Sequence, residues 1–169
     1  MELRLVGSEM CIRDSCERLV RQKVRKRFGG QLRYFVSGGA ALNPKISEFF
    51  QGLGVGILQG YGQTEASPVI SVNRPGAERA DTVGPILPDV EVRLSEAGEL
   101  LVRGANVMTG YWNDPESTSA ALIDGWLHTG DLAEIDADGH IRIVGRLKDL
   151  IVNSGGDNIA PGPIEQDLS

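Results

Sequence analysis

The stretch QGYGQTE, residues 59–65, packs a ring, bare backbone, a hydroxyl and a carboxylate into one short run. Tyr61 supplies the flat ring. Gly60 and Gly62 leave the main chain open on either side of it, Thr64 brings the hydroxyl and Glu65 the carboxylate. A second glycine run, SGGA at 37–40, offers N–H and C=O groups without side-chain hindrance at Gly38, Gly39 and Ala40. Together these are parts for holding a planar heterocycle, a phosphate and a divalent cation. The residue types alone also fit plainer roles. A Gly-x-Gly run after a strand is commonly only a turn, and a tyrosine at a strand end is commonly a half-buried core residue.

The elements that would position these groups follow from the periodicity. CERLVRQKVRKRF, residues 16–28, reads as a basic amphipathic helix closed by Gly29 and Gly30. LRYFVSGG reads as a short buried strand running into a glycine turn. NPKISEFFQGLG reads as a helix with Asn43 as its cap and Pro44 in its first turn. VGILQG is a second strand, with QGYGQTE expected as the glycine turn that leaves it. Strand, helix and strand joined by short links imply a parallel α/β unit. Ligands of such sheets sit beyond the carboxyl ends of the strands, where both glycine runs fall.

After about residue 80 the texture changes. VEVRL, GELLVRG, WLHTGDLAEID and HIRIVGR read as short strands separated by turns such as SEAG and DADG. One helix interrupts them, NDPESTSAALI, with Asn113 or Asp114 as its cap. The expected fold class is therefore α/β: the end of a parallel subdomain, then a small antiparallel, barrel-like subdomain. Trp112 and Trp126 are expected in the core of the sheet region, and His140 in a solvated turn. His128 is expected to pack or to make a loop hydrogen bond.

Composition sets outer limits. The chain has 169 residues, 41% of them hydrophobic and 24% charged, which suits a globular domain and not a disordered one. Its net charge of -6 disfavours a nucleic-acid partner. Cys11 and Cys16 have no second pair with which to build a zinc site or a disulfide framework. No secretory signal or membrane-length apolar run is legible, so a cytoplasmic setting is expected.

The glycine runs do not stand alone. SGGAAL, QGYGQTE, TVGPILPDVEVRL, GELLVRG, GYWNDPESTSAAL, GWLHTGDL and the GRLKD stretch follow in order from about Leu32 to Glu165. In that order they resemble the AMP-forming acyl-CoA synthetases, a family of adenylate-forming enzymes. The resemblance implies a two-step reaction: a carboxylate attacks the α-phosphate of ATP to give an acyl-adenylate, and coenzyme A then displaces AMP. It also implies roles for individual positions. Gly38, Gly39 and Ala40 lie against adenine and Tyr61 stacks on it. Thr64 contacts phosphate and Glu65 holds Mg2+. Gln59 and Gly60 lie at the floor where nucleotide and acyl group meet, and Gly62 is a further nucleotide-binding position. Asp131 and Arg146 reach the ribose, although a turn aspartate and a surface ion pair are the plainer alternatives for these two. Lys148 falls at the hinge between a large and a small domain. Ser154, Gly155 and Gly156 fall where the family's glycine turn lines the pantetheine channel.

GRLKDLIVNSGGDNIAPGPIE is most like the long-chain fatty acid–CoA ligases, because other branches carry lysines where this chain has Val152 and Ser154. A fatty acid, ATP and CoA are then the expected small-molecule partners. The basic helix leaves open a peripheral contact with anionic lipid, and a solvated face is the plainer reading. Two alternatives stay open: an adenylation domain that feeds a carrier protein, and a non-catalytic adenylate-binding relative. The resemblance divides the chain into 16–147, the end of the large domain, and 148–169, the hinge and the start of the small one. Residues 1–15 are expected to be a non-native leader, since EMCIRDS resembles a translated adaptor scar. PGPIEQ has the look of a helix start. The family's phosphate loop and distal lysine match nothing in the chain, so the isolated segment is expected to have little ligase activity.

Overall fold

The computed structural model describes residues 20–40, 42–152 and 158–159. The PGPIEQ stretch and Ser154, Gly155 and Gly156 lie outside them. Helix α1 (Gln22–Arg27) places Arg25, Lys26 and Arg27 in its last turn, at the negative end of the helix dipole. Strand β1 (Tyr34–Ser37) runs parallel to β2 (Gly56–Gly62), and helix α2 (Pro44–Gly52) makes the crossover. The start of α2 is fixed by Pro44 in its first turn and by the Asn43 side chain, which accepts the Lys45 N–H at 3.0 Å. Phe35 of β1 meets Phe28 and Phe50 edge-on, with ring centroids 5.3 and 6.1 Å apart.

Strand β2 continues past the point at which the sequence suggested a turn. Its first half, Gly56 to Gln59, pairs in parallel with β1; its second half, Gly60 to Gly62, pairs antiparallel with β3 (Val69–Val72). QGYG is thus the end of a strand that changes partner, and the turn comes later, at the 3-10 turn Thr64–Ala66. Glycine is required at Gly62: a Cβ there would lie 1.7 Å from the Pro68 carbonyl oxygen, inside the bulge of the β2–β3 ladder.

The second half of the chain is an antiparallel half-barrel in the order β4 (Val90–Leu94), β5 (Glu99–Gly104), β7 (Trp126–Ile135), β6 (Leu122–Ile123), with β8 (Ile141–Arg146) also paired to β7. Helix α3 (Pro115–Ala121) precedes β6, and Asp114 caps it by accepting the Ser117 N–H at 2.9 Å. The turns at Ser95–Gly98 and Asp136–Gly139 fall where SEAG and DADG predict them, closed by backbone bonds of 3.0 Å each. Beyond β8, a 3-10 turn at Leu147–Asp149 leads to a short antiparallel pair, β9 (Ile151–Val152) and β10 (Asn158–Ile159).

Ile70, Leu100, Val102, Leu127 and Ile141 are fully buried and form one core with Ala66 and Ala133. Ile70 comes from the first sheet and the other large residues from the second. The segment between β3 and β4 joins the two: the Leu87 N–H bonds the Ile70 carbonyl at 2.9 Å, and the Val83 N–H bonds the Ile141 carbonyl at 2.8 Å. Gly84 makes that seam possible. Its φ is +85°, and a Cβ would lie 2.2 Å from the Asn73 nitrogen.

Two expectations about single residues are corrected. Trp112 is 91% exposed, because the loop before α3 carries it clear of the sheet. Trp126 is buried as expected, beneath the Arg93 and Arg103 guanidiniums at 4.3 and 4.5 Å from its ring. His140 is half-buried, since its backbone bridges to Pro85 and draws the ring off the surface.

Candidate active site

Three motifs far apart in sequence converge on one carboxylate. The Tyr61 hydroxyl, at the end of β2, donates to Asp131 Oδ2 at 2.6 Å. Arg146 Nε, at the end of β8, lies 3.0 Å from Asp131 Oδ1. Asp131 itself is only 5% exposed, held on β7 opposite Arg146 in the β7–β8 ladder. A buried carboxylate needs donors, and these two meet that need with one bond per oxygen. Each carboxylate oxygen can accept one more hydrogen bond, so capacity remains for two hydroxyl donors. That matches the demand of a vicinal diol. Burial, and behind it the bond to Asp131, holds the Tyr61 phenol well above its ordinary pKa, so it is a firm donor at neutral pH.

The SGGA run meets this corner from the other side. Gly38 follows β1 directly, and a Cβ there would sit 3.3 Å from the Gly60 carbonyl oxygen. The parallel register of Ser37 with Gln59 puts the two glycine runs side by side, open to solvent at Gly38, Gly39 and Ala40. Gln59 is buried, and its amide donates to the Ala80 carbonyl at 2.7 Å, which ties β2 to the loop behind it.

Glu65 is fixed at two points. Its carbonyl accepts the Met108 N–H at 2.8 Å, and its Oε1 accepts the Tyr111 hydroxyl at 2.7 Å. The bond to Glu65 raises the Tyr111 phenol above its ordinary pKa. Thr64 is exposed, and its hydroxyl has no partner among the described residues. One carboxylate beside a free hydroxyl suits a Mg2+ ion that takes its remaining ligands from phosphates and water. Among the described residues there is no cluster of three or more metal-binding side chains, so an ion held by protein alone is not built here.

Beside this corner opens a cleft of about 940 Å³. Glu65, Tyr111, Trp112, His128, Arg146 and Lys148 are among its lining residues. Lys148 sits in the 3-10 turn that follows β8. The structure therefore brings Tyr61, Asp131 and Arg146 together, sets Gly38 beside Gly60, and places Glu65 and Lys148 on a cleft that Arg146 shares.

A family model described as AMP-binding enzyme matches residues 9–112. The chain belongs to that family. A long-chain-fatty-acid–CoA ligase of Mycobacterium bovis is 42% identical over 152 residues, 90% of this chain and 25% of its own length. A feruloyl-CoA synthase of an Amycolatopsis species is 41% identical over 149 residues, 81% of this chain and 30% of its own. The chain thus spans about a quarter of the length of the curated fatty-acid relatives it matches. Among solved structures, the O-succinylbenzoate coenzyme A synthetase of Bacillus subtilis, in complex with ATP and magnesium ion, superposes with a TM-score of 0.72 at 32% identity, over 80% of this chain and 31% of that one. An anthranilate CoA ligase in complex with anthranoyl-AMP gives 0.73 at 29%, over 81% and 28%.

Sequence reasoning did not find Tyr111 as the partner of Glu65, nor Glu99 and His128 as a pair. Tyr111 stands in GYW, five residues beyond the GELLVRG strand, but nothing local tells that its hydroxyl reaches a residue 46 positions earlier.

Proposed function

We propose that this chain is the nucleotide-holding segment of an ATP-dependent, AMP-forming long-chain fatty acid–CoA ligase. The observation that carries the reading is the convergence of Tyr61 and Arg146 on the buried Asp131 carboxylate. Three residues from three ordered motifs meet with acceptor capacity left for a ribose diol.

In this reading Asp131 takes the ribose hydroxyls and Arg146 reaches the same sugar. The Tyr61 ring lies along adenine while its hydroxyl keeps Asp131 in place. Gly38, Gly39 and Ala40 border the base, with Gln59 and Gly60 as the floor and Gly62 beside the nucleotide. Thr64 meets phosphate. Glu65 holds Mg2+, which neutralises phosphate charge when bound. Lys148 is the hinge about which a small C-terminal domain turns between the half-reactions. Ser154, Gly155 and Gly156 border the pantetheine arm. The acyl acceptor is CoA, and the use of ATP and CoA points to the cytoplasm. Among the described residues no helix is long and apolar enough to cross a membrane. Arg25, Lys26 and Arg27 on α1 are the groups that a contact with anionic lipid would use.

ATP–pyrophosphate exchange by the full-length enzyme that carries this segment tests the reading. Exchange should depend on a long-chain fatty acid, and AMP should be released when CoA is added. Exchange driven by ferulate but by no fatty acid would overturn the substrate class. An enzyme that binds ATP without exchange under any acid would overturn the ligase reading.

A further inference from the structure

The residues just ahead of Asp131 are tied by side chains to the start of β5, and Glu99 makes two of the ties. Glu99 is 7% exposed, yet it is not among the groups that meet Asp131. Its Oε1 accepts the Gly130 N–H at 2.9 Å, and its Oε2 lies 2.9 Å from His128 Nδ1. A carboxylate can only accept, so His128 Nδ1 carries the proton in this contact. Between them, the Thr129 hydroxyl donates to the Leu100 carbonyl at 2.7 Å and accepts the Asp131 N–H at 3.1 Å.

These bonds sit where the backbone ladder is weakest. The β5–β7 pairing shifts register between Glu99 and Leu101, and Gly130 adopts a φ of +72°. Regular pairing therefore does not fix the chain direction immediately before Asp131. The Glu99 carboxylate replaces the missing ladder contacts by gripping both His128 and Gly130. Burying a carboxylate is costly unless donors meet it, and both of its donors belong to this one stretch.

We propose that Glu99 is a positioning residue for the nucleotide: it sets the backbone that aims Asp131 at the ribose diol. The inference rests on the ribose reading of Asp131. Glu99 borders the cleft beside the site, and in this proposal it acts on the ribose through Gly130 and Asp131. Its loss should therefore impair recognition of the two ribose hydroxyls and leave recognition of base and phosphate intact. A residue that merely stabilised the sheet would weaken every adenine nucleotide alike.

The test compares affinities for AMP and 2′,3′-dideoxyadenosine monophosphate by calorimetry in the full-length enzyme. Glu99→Leu should lower the preference for AMP by about tenfold, equivalent to about 1.4 kcal/mol. Glu99→Gln should retain most of the preference. Its oxygen still accepts the Gly130 N–H, and its amide faces His128 Nδ1 in the other ring tautomer. Glu99→Asp keeps the charge but is one methylene too short to hold both partners, and it serves where Glu99→Leu does not fold. Asp131→Ala is the reference. If it leaves the preference intact, the ribose reading fails. If it abolishes the preference while the Leu and Asp variants of Glu99 keep it, or weaken both ligands equally, the positioning role of Glu99 is overturned and the ribose reading stands.

Discussion

The half-barrel encloses its central apolar residues in a core that Ile70 of the three-stranded sheet joins, whereas β1 and the α2 crossover of that sheet leave many of theirs in view. Leu100, Val102, Leu127 and Ile141 are fully enclosed, and β5 is buried along four consecutive residues. In the first region Val36 is 71% exposed and Phe49 is 63% exposed, and Ile46 and Tyr34 also face outward. The site is divided along the same line. The exposed region contributes backbone and ring, through Gly38, Gly60 and Tyr61; the packed region contributes fixed charge, through Asp131 and Arg146. A carboxylate held away from water needs a rigid support, which the half-barrel supplies. Open glycine backbone needs only access, which a lightly covered sheet edge provides.

The sharpest way to break this comparison is by core truncation. Leu127→Ala should cost about 3 kcal/mol of stability in a denaturant titration, by the usual cost of emptying a fully buried leucine site. Val36→Ala should stay within about 0.5 kcal/mol, as surface changes do. Equal losses would show that Val36 is as enclosed in solution as Leu127. Amide hydrogen exchange should separate them as well, with slow exchange in β5 and β7 and faster exchange in β1. Uniform protection across both sheets would contradict it.

A smaller effect concerns the bond that joins the regions. The Tyr61 phenol ionises above its ordinary pKa in the folded chain, first because of burial and then because of Asp131. Its stabilising contribution is therefore fully present below about pH 10, the ordinary value for tyrosine. It is lost as pH rises above that, because the unfolded chain releases the proton first. Tyr61→Phe should flatten this alkaline loss and remove a late-titrating phenol from the ultraviolet titration curve. An unchanged slope would mean that Tyr61 is not buried against Asp131 in solution. Least disruptive is Tyr111→Phe, which frees Glu65 Oε1 and should raise the Mg2+ concentration needed for half-maximal exchange by about twofold to tenfold, the net worth of an ordinary solvent-exposed hydrogen bond. An unchanged Mg2+ requirement would leave the Tyr111–Glu65 contact without a part in the site.

The elements were legible because their signals are local. Asn43 with Pro44, and Asp114 with Pro115, mark helix starts, and alternation marks β4 and β8. The candidate site residues could be proposed from sequence because they stand in short ordered motifs. The partner change of β2 was not, since Gly60 and Gly62 carry no side-chain period and look like a turn until β3 lies beside them. Trp112 misled for a related reason: whether an aromatic is buried depends on what tertiary structure brings over it, and nothing among the described residues covers that loop. The Glu99 clamp was equally hidden, because its bonds to His128 and Gly130 span 29 and 31 positions.

The central claim is that Asp131, held by Tyr61 and Arg146, receives the ribose of an adenine nucleotide. Calorimetric titration of ATP into the full-length enzyme and its Asp131→Ala variant tests it directly. Loss of hydrogen bonds to a charged acceptor should weaken ATP binding by about tenfold to a hundredfold, in a variant whose circular-dichroism spectrum shows it still folded. Equal ATP affinity in the two proteins would contradict the account.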